Sequence, residues 1–132
     1  MSTHFNKFLM IASAVLIAAC ASTPDVRVGS ADFVKASNGI LVSSYGKTLY
    51  VFDKDSANSG KSECVAACAT NWPPLYIEAG AKLSGDFSVV TRNDGQKQLA
   101  YKGKPLYFWS KDANPGDKTG DGFNNVWHVI QM

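Results

Sequence analysis

The 132-residue chain predicts a mainly β fold, a single domain of two related β-meander halves with one short helix. Three observations carry that reading. A ten-residue stretch occurs twice, which identifies the duplicated unit. Short apolar runs alternate with turn residues, as in domains built from short strands. Only one segment has a helical pattern, and it is about two turns long.

The repeat is the frame for everything else. Gly46-Lys47-Thr48-Leu49-Tyr50-Val51-Phe52-Asp53-Lys54-Asp55 returns as Gly103-Lys104-Pro105-Leu106-Tyr107-Phe108-Trp109-Ser110-Lys111-Asp112, 57 residues later. The Gly, first Lys, Leu, Tyr, second Lys and final Asp are identical, and Phe52 is matched by Trp109. The unit is a turn, a strand and an acidic loop.

The length fits one domain, and 45% hydrophobic with 18% charged residues is an ordinary globular composition. Thirteen basic residues stand against eleven acidic ones with no block of one sign, so a nucleic-acid partner is not expected. The N-terminus reads as an export signal. Lys7 precedes an apolar run from Phe8 to Ala19, too short to span a bilayer and suited to a signal peptide. Small residues then lead into Cys20, which resembles the bacterial lipobox. On that resemblance residues 1–19 are removed, Cys20 carries acyl chains such as palmitate, and these anchor the chain to a membrane. Ala21 in place of Asp points, by likeness to Gram-negative lipoproteins, to the outer membrane. Residues 20–31 are small and polar and read as a lipidated tether, and residues 32–132 form the β-rich domain.

In chain order, Ile40 to Ser44 and Thr48 to Asp53 flank a Gly turn and read as a hairpin. Ser62 is placed to cap a helix over Glu63 to Ala69, which Asn71 and Pro73 would end. Phe87 to Arg92 and Lys97 to Tyr101 flank Asn93-Asp94-Gly95, a strong hairpin signal. Lys102-Gly103-Lys104 turns the chain into Pro105 to Trp109, making a three-strand meander. Val126 to Gln131 is the last strand.

Alternation places Tyr50 with Phe52, and Tyr107 with Trp109, on one face of each repeated strand. Large aromatics tend to be buried, so these rings read first as core. A partly exposed face would instead offer stacking platforms for a small molecule, a quinone-like ring or a glycan, with Asp55 and Asp112 at the rim. The loops after the two aspartates are rich in oxygen ligands. Neither matches a calcium-binding EF-hand, since Ala57 or Gly116 stands at the fifth ligand position. Their favoured reading is turn chemistry, with Asp accepting bonds from nearby backbone N–H groups.

Cys64 and Cys68 remain as an even pair in an exported chain and read as a disulfide. A redox or metal-handling role through Cys64, Cys68 and His128 is the alternative, although zinc normally takes about four ligands. No cofactor is expected. Neither a nucleophile elbow, a Ser-x-x-Lys motif nor a Gly-rich phosphate loop is present, so an enzyme is not expected.

Tyr50-x-Phe52-x-x-Asp55 and Tyr107-x-Trp109-x-x-Asp112 together resemble the signature of predicted bacterial lipoproteins with a Yx(F/W/Y)xxD motif, a secreted repeat family of unknown function. Cys64-x-x-x-Cys68-Ala69-x-x-Trp72-Pro73-Pro74-Leu75, Thr91-Arg92-x-Asp94-Gly95 and Trp127 extend the resemblance over residues 38 to 131. The resemblance implies location and architecture and brings no catalytic residues. The expectation is a cell-envelope lipoprotein facing the periplasm, a non-enzymatic binding or structural module whose partner is a small molecule, a glycan or another envelope protein.

Overall fold

The structure, a computed structural model, describes residues 33–132. The expected signal peptide, Cys20 and the tether lie outside the described residues. Among the described residues seven short strands form three antiparallel sheets. Strand β1 (Val34–Ser37) pairs with β2 (Ile40–Ser43), and β3 (Tyr50–Phe52) pairs with the last strand, β7 (Trp127–Val129). The third sheet has the order β4 (Phe87–Thr91), β5 (Lys97–Tyr101), β6 (Lys104–Pro105). Helix α1 covers only Ala67–Asn71, and a 3-10 turn covers Phe123–Asn125.

The mainly β class and the two related halves agree with the sequence, but several elements differ from expectation. Strand β1 was not foreseen. It enters a hairpin through Asn38-Gly39, both at positive φ, as a tight two-residue turn between twisted strands requires. The expected hairpin between Ile40–Ser44 and Thr48–Asp53 is reduced to a Val42–Thr48 bridge, made by the bonds from Ser43 N–H to Lys47 O (2.7 Å) and from Leu49 N–H to Leu41 O (3.2 Å). Its outer half, β3, leaves to pair with β7. The meander β4-β5-β6 is present, but beyond Pro105 the chain departs from it, and Tyr107 bridges Tyr50 and Pro74 instead. Helix α1 starts four residues later than expected and lacks the Ser62 cap, because Ser62 is buried and its hydroxyl is engaged by Arg92 and Tyr107.

An approximate two-fold axis relates the halves. It passes between Tyr50 and Tyr107, whose backbones exchange N–H···O bonds of 2.9 and 3.0 Å. Away from the axis the bonds recur in pairs. Asp53 N–H to Val126 O (2.8 Å) matches Ser110 N–H to Asn71 O (3.0 Å), and Leu41 N–H to Ile130 O (2.9 Å) matches Leu99 N–H to Leu75 O (2.9 Å). The repeated strands therefore have equivalent surroundings.

Side-chain alternation along those strands separates two cores. Leu49 and Leu106 point into an aliphatic core with Val34, Leu41, Leu75, Ile77 and Leu99. Tyr50, Phe52, Tyr107 and Trp109 point the other way, into an aromatic core with Trp72 and Trp127.

Candidate functional site

The repeat motif places its polar groups on the axis, where they cross between copies. Tyr50 Oη donates to Asp112 Oδ2 at 2.6 Å, and Tyr107 Oη donates to Asp55 Oδ2 at 2.7 Å. Each carboxylate is aimed by the same local turn, closed by Asp55 N–H on Phe52 O (3.0 Å) and by Asp112 N–H on Trp109 O (3.1 Å). The second oxygens are also matched. Asp55 Oδ1 accepts the Glu63 N–H at 2.7 Å, and Asp112 Oδ1 accepts the Thr119 N–H at 2.9 Å and the Thr119 hydroxyl at 2.6 Å. The sequence leads one to expect local Asx turns at these aspartates; the backbone donors found stand eight and seven residues on, at the far side of each loop. The tyrosine from the other copy was missed. One signal for it was available: a strand rises about 3.3 Å per residue, which carries a Tyr away from an Asp five positions ahead.

Both aspartates and both tyrosines are buried. Burial pushes the hydroxyls of Tyr50 and Tyr107 above the ordinary tyrosine range, and the facing carboxylates add to the shift. The two hydroxyls are thereby held protonated, as donors. Burial also raises the Asp55 carboxyl, against the lowering effect of the Glu63 N–H and the Tyr107 hydroxyl. A buried carboxylate is costly unless hydrogen bonds satisfy it. Here each copy satisfies the carboxylate of the other.

Beside these pairs runs a stack of four rings, Phe52–Trp127–Trp72–Trp109. The central Trp72–Trp127 pair lies at 3.8 Å and 3°, flanked by Phe52–Trp127 at 4.3 Å and Trp72–Trp109 at 4.0 Å. Tyr50 meets Trp72 edge-on at 5.3 Å, and Tyr107 meets Trp127 edge-on at 5.1 Å. Such pairs contribute roughly 0.5–1.5 kcal/mol each beyond the area they bury. All these rings are buried. The platform expectation for Tyr50, Phe52, Tyr107 and Trp109 therefore does not fit this geometry, nor does a rim position for Asp55 and Asp112. They are core.

The acidic loops dock across the axis as well. Asn58 N–H bonds Gly103 O at 2.9 Å, and Gly116 N–H bonds Gly46 O at 3.1 Å, so each loop closes on the other copy's Gly turn. A Cβ on Gly103 would stand 2.6 Å from the Asn58 backbone nitrogen, and one on Gly46 would stand 3.1 Å from Pro115 Cβ. Close approach, together with φ of +79° and +93°, makes glycine necessary at both turns. Lys47 Nζ adds a bond to Asp112 O.

Cys64 and Cys68 are joined as a disulfide. A loop this small gives about 2 kcal/mol on the chain-entropy model. His128 Nε2 lies 2.8 Å from Asp53 Oδ2 at the surface. The structure does not gather Cys64, Cys68 and His128 into one site, and among the described residues no group of three or more His, Cys, Asp or Glu is placed to hold a metal. The aspartates of the second loop serve the chain itself. Asp117 accepts the Ala113 and Asn114 N–H groups, and Asp121 accepts the Val129 N–H.

Arg92 went unnoticed as a functional candidate. It is buried, donating through Nη1 to Ser62 Oγ and Gln98 Oε1 (both 2.8 Å) and through Nη2 to Cys64 O (2.6 Å). In the sequence Arg92 stands beside the Asp94-Gly95 hairpin turn, with no local pattern that marks its burial.

No curated protein and no solved structure matches the chain. A family model matches twice, over residues 33–76 and 88–131, and these bounds are the two halves related by the axis. The chain belongs to the Lipoprotein_15 family, described as a secreted repeat of unknown function.

Proposed function

We propose that the protein is a lipoprotein of the bacterial cell envelope, carried on acyl chains at Cys20, most simply in the outer membrane and facing the periplasm. Its β domain acts there as a non-enzymatic binding or structural module. The observation that carries the second part is the use made of the motif. Tyr50 and Tyr107 are donors to Asp112 and Asp55, and all four are buried in bonds to one another. The motif is thus employed in joining two repeats into one body. The first part is supported by the lipobox-like approach to Cys20 and by the secreted character of the family.

The test is processing in cells. Globomycin, or Cys20→Ala, should leave the uncleaved precursor and abolish incorporation of labelled palmitate. Maturation and release into the periplasm in either case would overturn the lipoprotein reading.

A further inference from the structure

The two-fold symmetry separates what the fold needs from what has been added to it. The halves differ by one residue in the turn before the repeated strand, where Leu41 to Tyr50 is nine positions and Leu99 to Tyr107 eight, and by more at two further places. Five residues (92–96) join β4 to β5, where Asn38-Gly39 alone join β1 to β2. From Asp55 to Trp72 the chain advances seventeen positions, whereas from Asp112 to Trp127 it advances fifteen. These two longer segments, one from each half, meet. Arg92 in the first reaches Ser62 and the Cys64 carbonyl in the second.

Between them opens a cleft of about 200 Å³, lined by Val65, Ala66, Ala69, Tyr76, Arg92 and the Asn93-Asp94 turn. Its apolar walls are exposed, Val65 at 41% and Tyr76 at 44%. Their counterparts in the other half are polar. The bridge of Tyr76 to Gln98 corresponds to that of Gln131 to Ile40. Val65 lies two residues past the N–H on Asp55, and Asp121 lies two past the N–H on Asp112. The fold thus accepts Asp and Gln at these positions, and the cleft has Val and Tyr.

Arg92 supplies the polar end. It is only 7% exposed, and its acceptors are a hydroxyl, an amide and a backbone carbonyl, all neutral. Among the described residues no carboxylate stands at ion-pair distance from it. Ser62 and Tyr107 lead from it to Asp55, two side chains away. Among the described residues its Nε–H has no acceptor, and it is not shut away from solvent. A buried guanidinium without a carboxylate is costly, and a carboxylate is the partner whose geometry it matches. Asp94 also lines the cleft, with its oxygens occupied by the Gln96 backbone and side chain.

We propose that this cleft binds a small carboxylate borne on an apolar ring. The ring rests on Val65, Ala66, Ala69 and Tyr76, and the carboxylate meets the free edge of Arg92. The volume is below the ~300–1,000 Å³ of sites for drug-sized ligands, so one ring is the size that fits. The inference rests on the reading of the domain as a binding module.

Benzoate is the probe, titrated into the ¹⁵N-labelled full chain in detergent micelles, with benzamide as its neutral isostere. Benzoate should shift the amides of residues 65–69, 76 and 92–94 saturably, with a midpoint in the millimolar range, and benzamide should bind at least about tenfold more weakly. Ala69→Leu fills the cleft with a good helix former and should weaken benzoate by about tenfold or more, since each 1.4 kcal/mol is a factor of ten. Tyr76→Gln, which installs the residue of the other half, should weaken it several-fold. Arg92→Gln risks the fold, whereas these two variants keep the packing of the domain. Shifts that fail to saturate, that are equal for benzamide, or that persist in Ala69→Leu would overturn the site. Such a failure leaves processing at Cys20 untouched, so the two readings fail separately.

Discussion

The Asp55 loop and the Asp112 loop begin as the same structure and end differently. Both open with a turn that aims an aspartate at the other half's tyrosine, and both bond a Gly turn across the axis. Past that point the Asp112 loop is held by polar bonds, chiefly Thr119 and Asp117 to the backbone or carboxylates nearby. The Asp55 loop is held by the Cys64–Cys68 disulfide and by the Arg92 guanidinium arriving from the other half. Gly120, where a Cβ would meet Trp72 at 2.7 Å, corresponds to fully buried Cys64. Two solutions to one packing problem coexist in one molecule. Their common part is therefore the requirement of the fold, and their difference is free to serve something else.

The comparison is broken most readily at the stack. Trp72 and Trp127 are equivalent across the axis and face each other, so Trp72→Ala and Trp127→Ala should destabilise alike, by about 3–5 kcal/mol each. Urea unfolding checks this. Costs that differ by more than about 2 kcal/mol would mean that one half carries the core, against the equivalence seen in the backbone.

How much of this was legible beforehand follows from what kind of information each feature needs. The repeated strand, the β4–β5 hairpin and the disulfide are local, written in spacing, turn residues and an even cysteine pair. The short helix was placed too early because Ser62 looks like a cap, and only the approach of Arg92 and Tyr107 shows that its hydroxyl is engaged elsewhere. Strand β1 was missed because Val34 alone of its four residues is buried, leaving little alternation to read. The crossing of tyrosine and aspartate was missed for a different reason. A repeat shows that two units are alike and does not show that each completes the other.

The tyrosines give a sharper, smaller test. Their hydroxyls titrate higher in the folded state than the ordinary value near 10, so the folded state keeps protons that the unfolded state releases. The associated stability is complete below about pH 10 and is lost as pH rises beyond it, by about 1.4 kcal/mol per pH unit per tyrosine. Tyr50→Phe and Tyr107→Phe should each reduce the slope measured between pH 10 and 11 by thermal or urea unfolding, by about 1 kcal/mol per pH unit. A slope untouched by one of them would show that its hydroxyl is not held as the other is. At the acid end Asp55 has the same sign. Its raised carboxyl favours the folded state below the unfolded value near 4, and that contribution falls as pH rises through the folded value.

The smallest effect concerns one backbone position. The residue before α1 is Ala66, at φ 52° and ψ −123°, and the residue before the 3-10 turn of the other half is Gly122, at φ 77°. Both open the short helical segment that leads into a stacked Trp, so both meet the same demand for positive φ. Glycine meets it without penalty, while for alanine the Cβ crowds the backbone, at a cost of order 1–3 kcal/mol. The disulfide spans this position, closing from Cys64 to Cys68, and holds the alanine there. Ala66→Gly should then stabilise the folded domain by about 1 kcal/mol, the relief being partly offset by the larger entropy of glycine in the unfolded chain. The reciprocal change, Gly122→Ala, should destabilise by about 1 kcal/mol, because it puts a Cβ into the left-handed region, at φ 77° and ψ 5°. Paired melting curves read both signs in one experiment. If Ala66→Gly instead destabilises, the alanine is making a contact that outweighs its backbone strain, and the two halves differ at this point by packing.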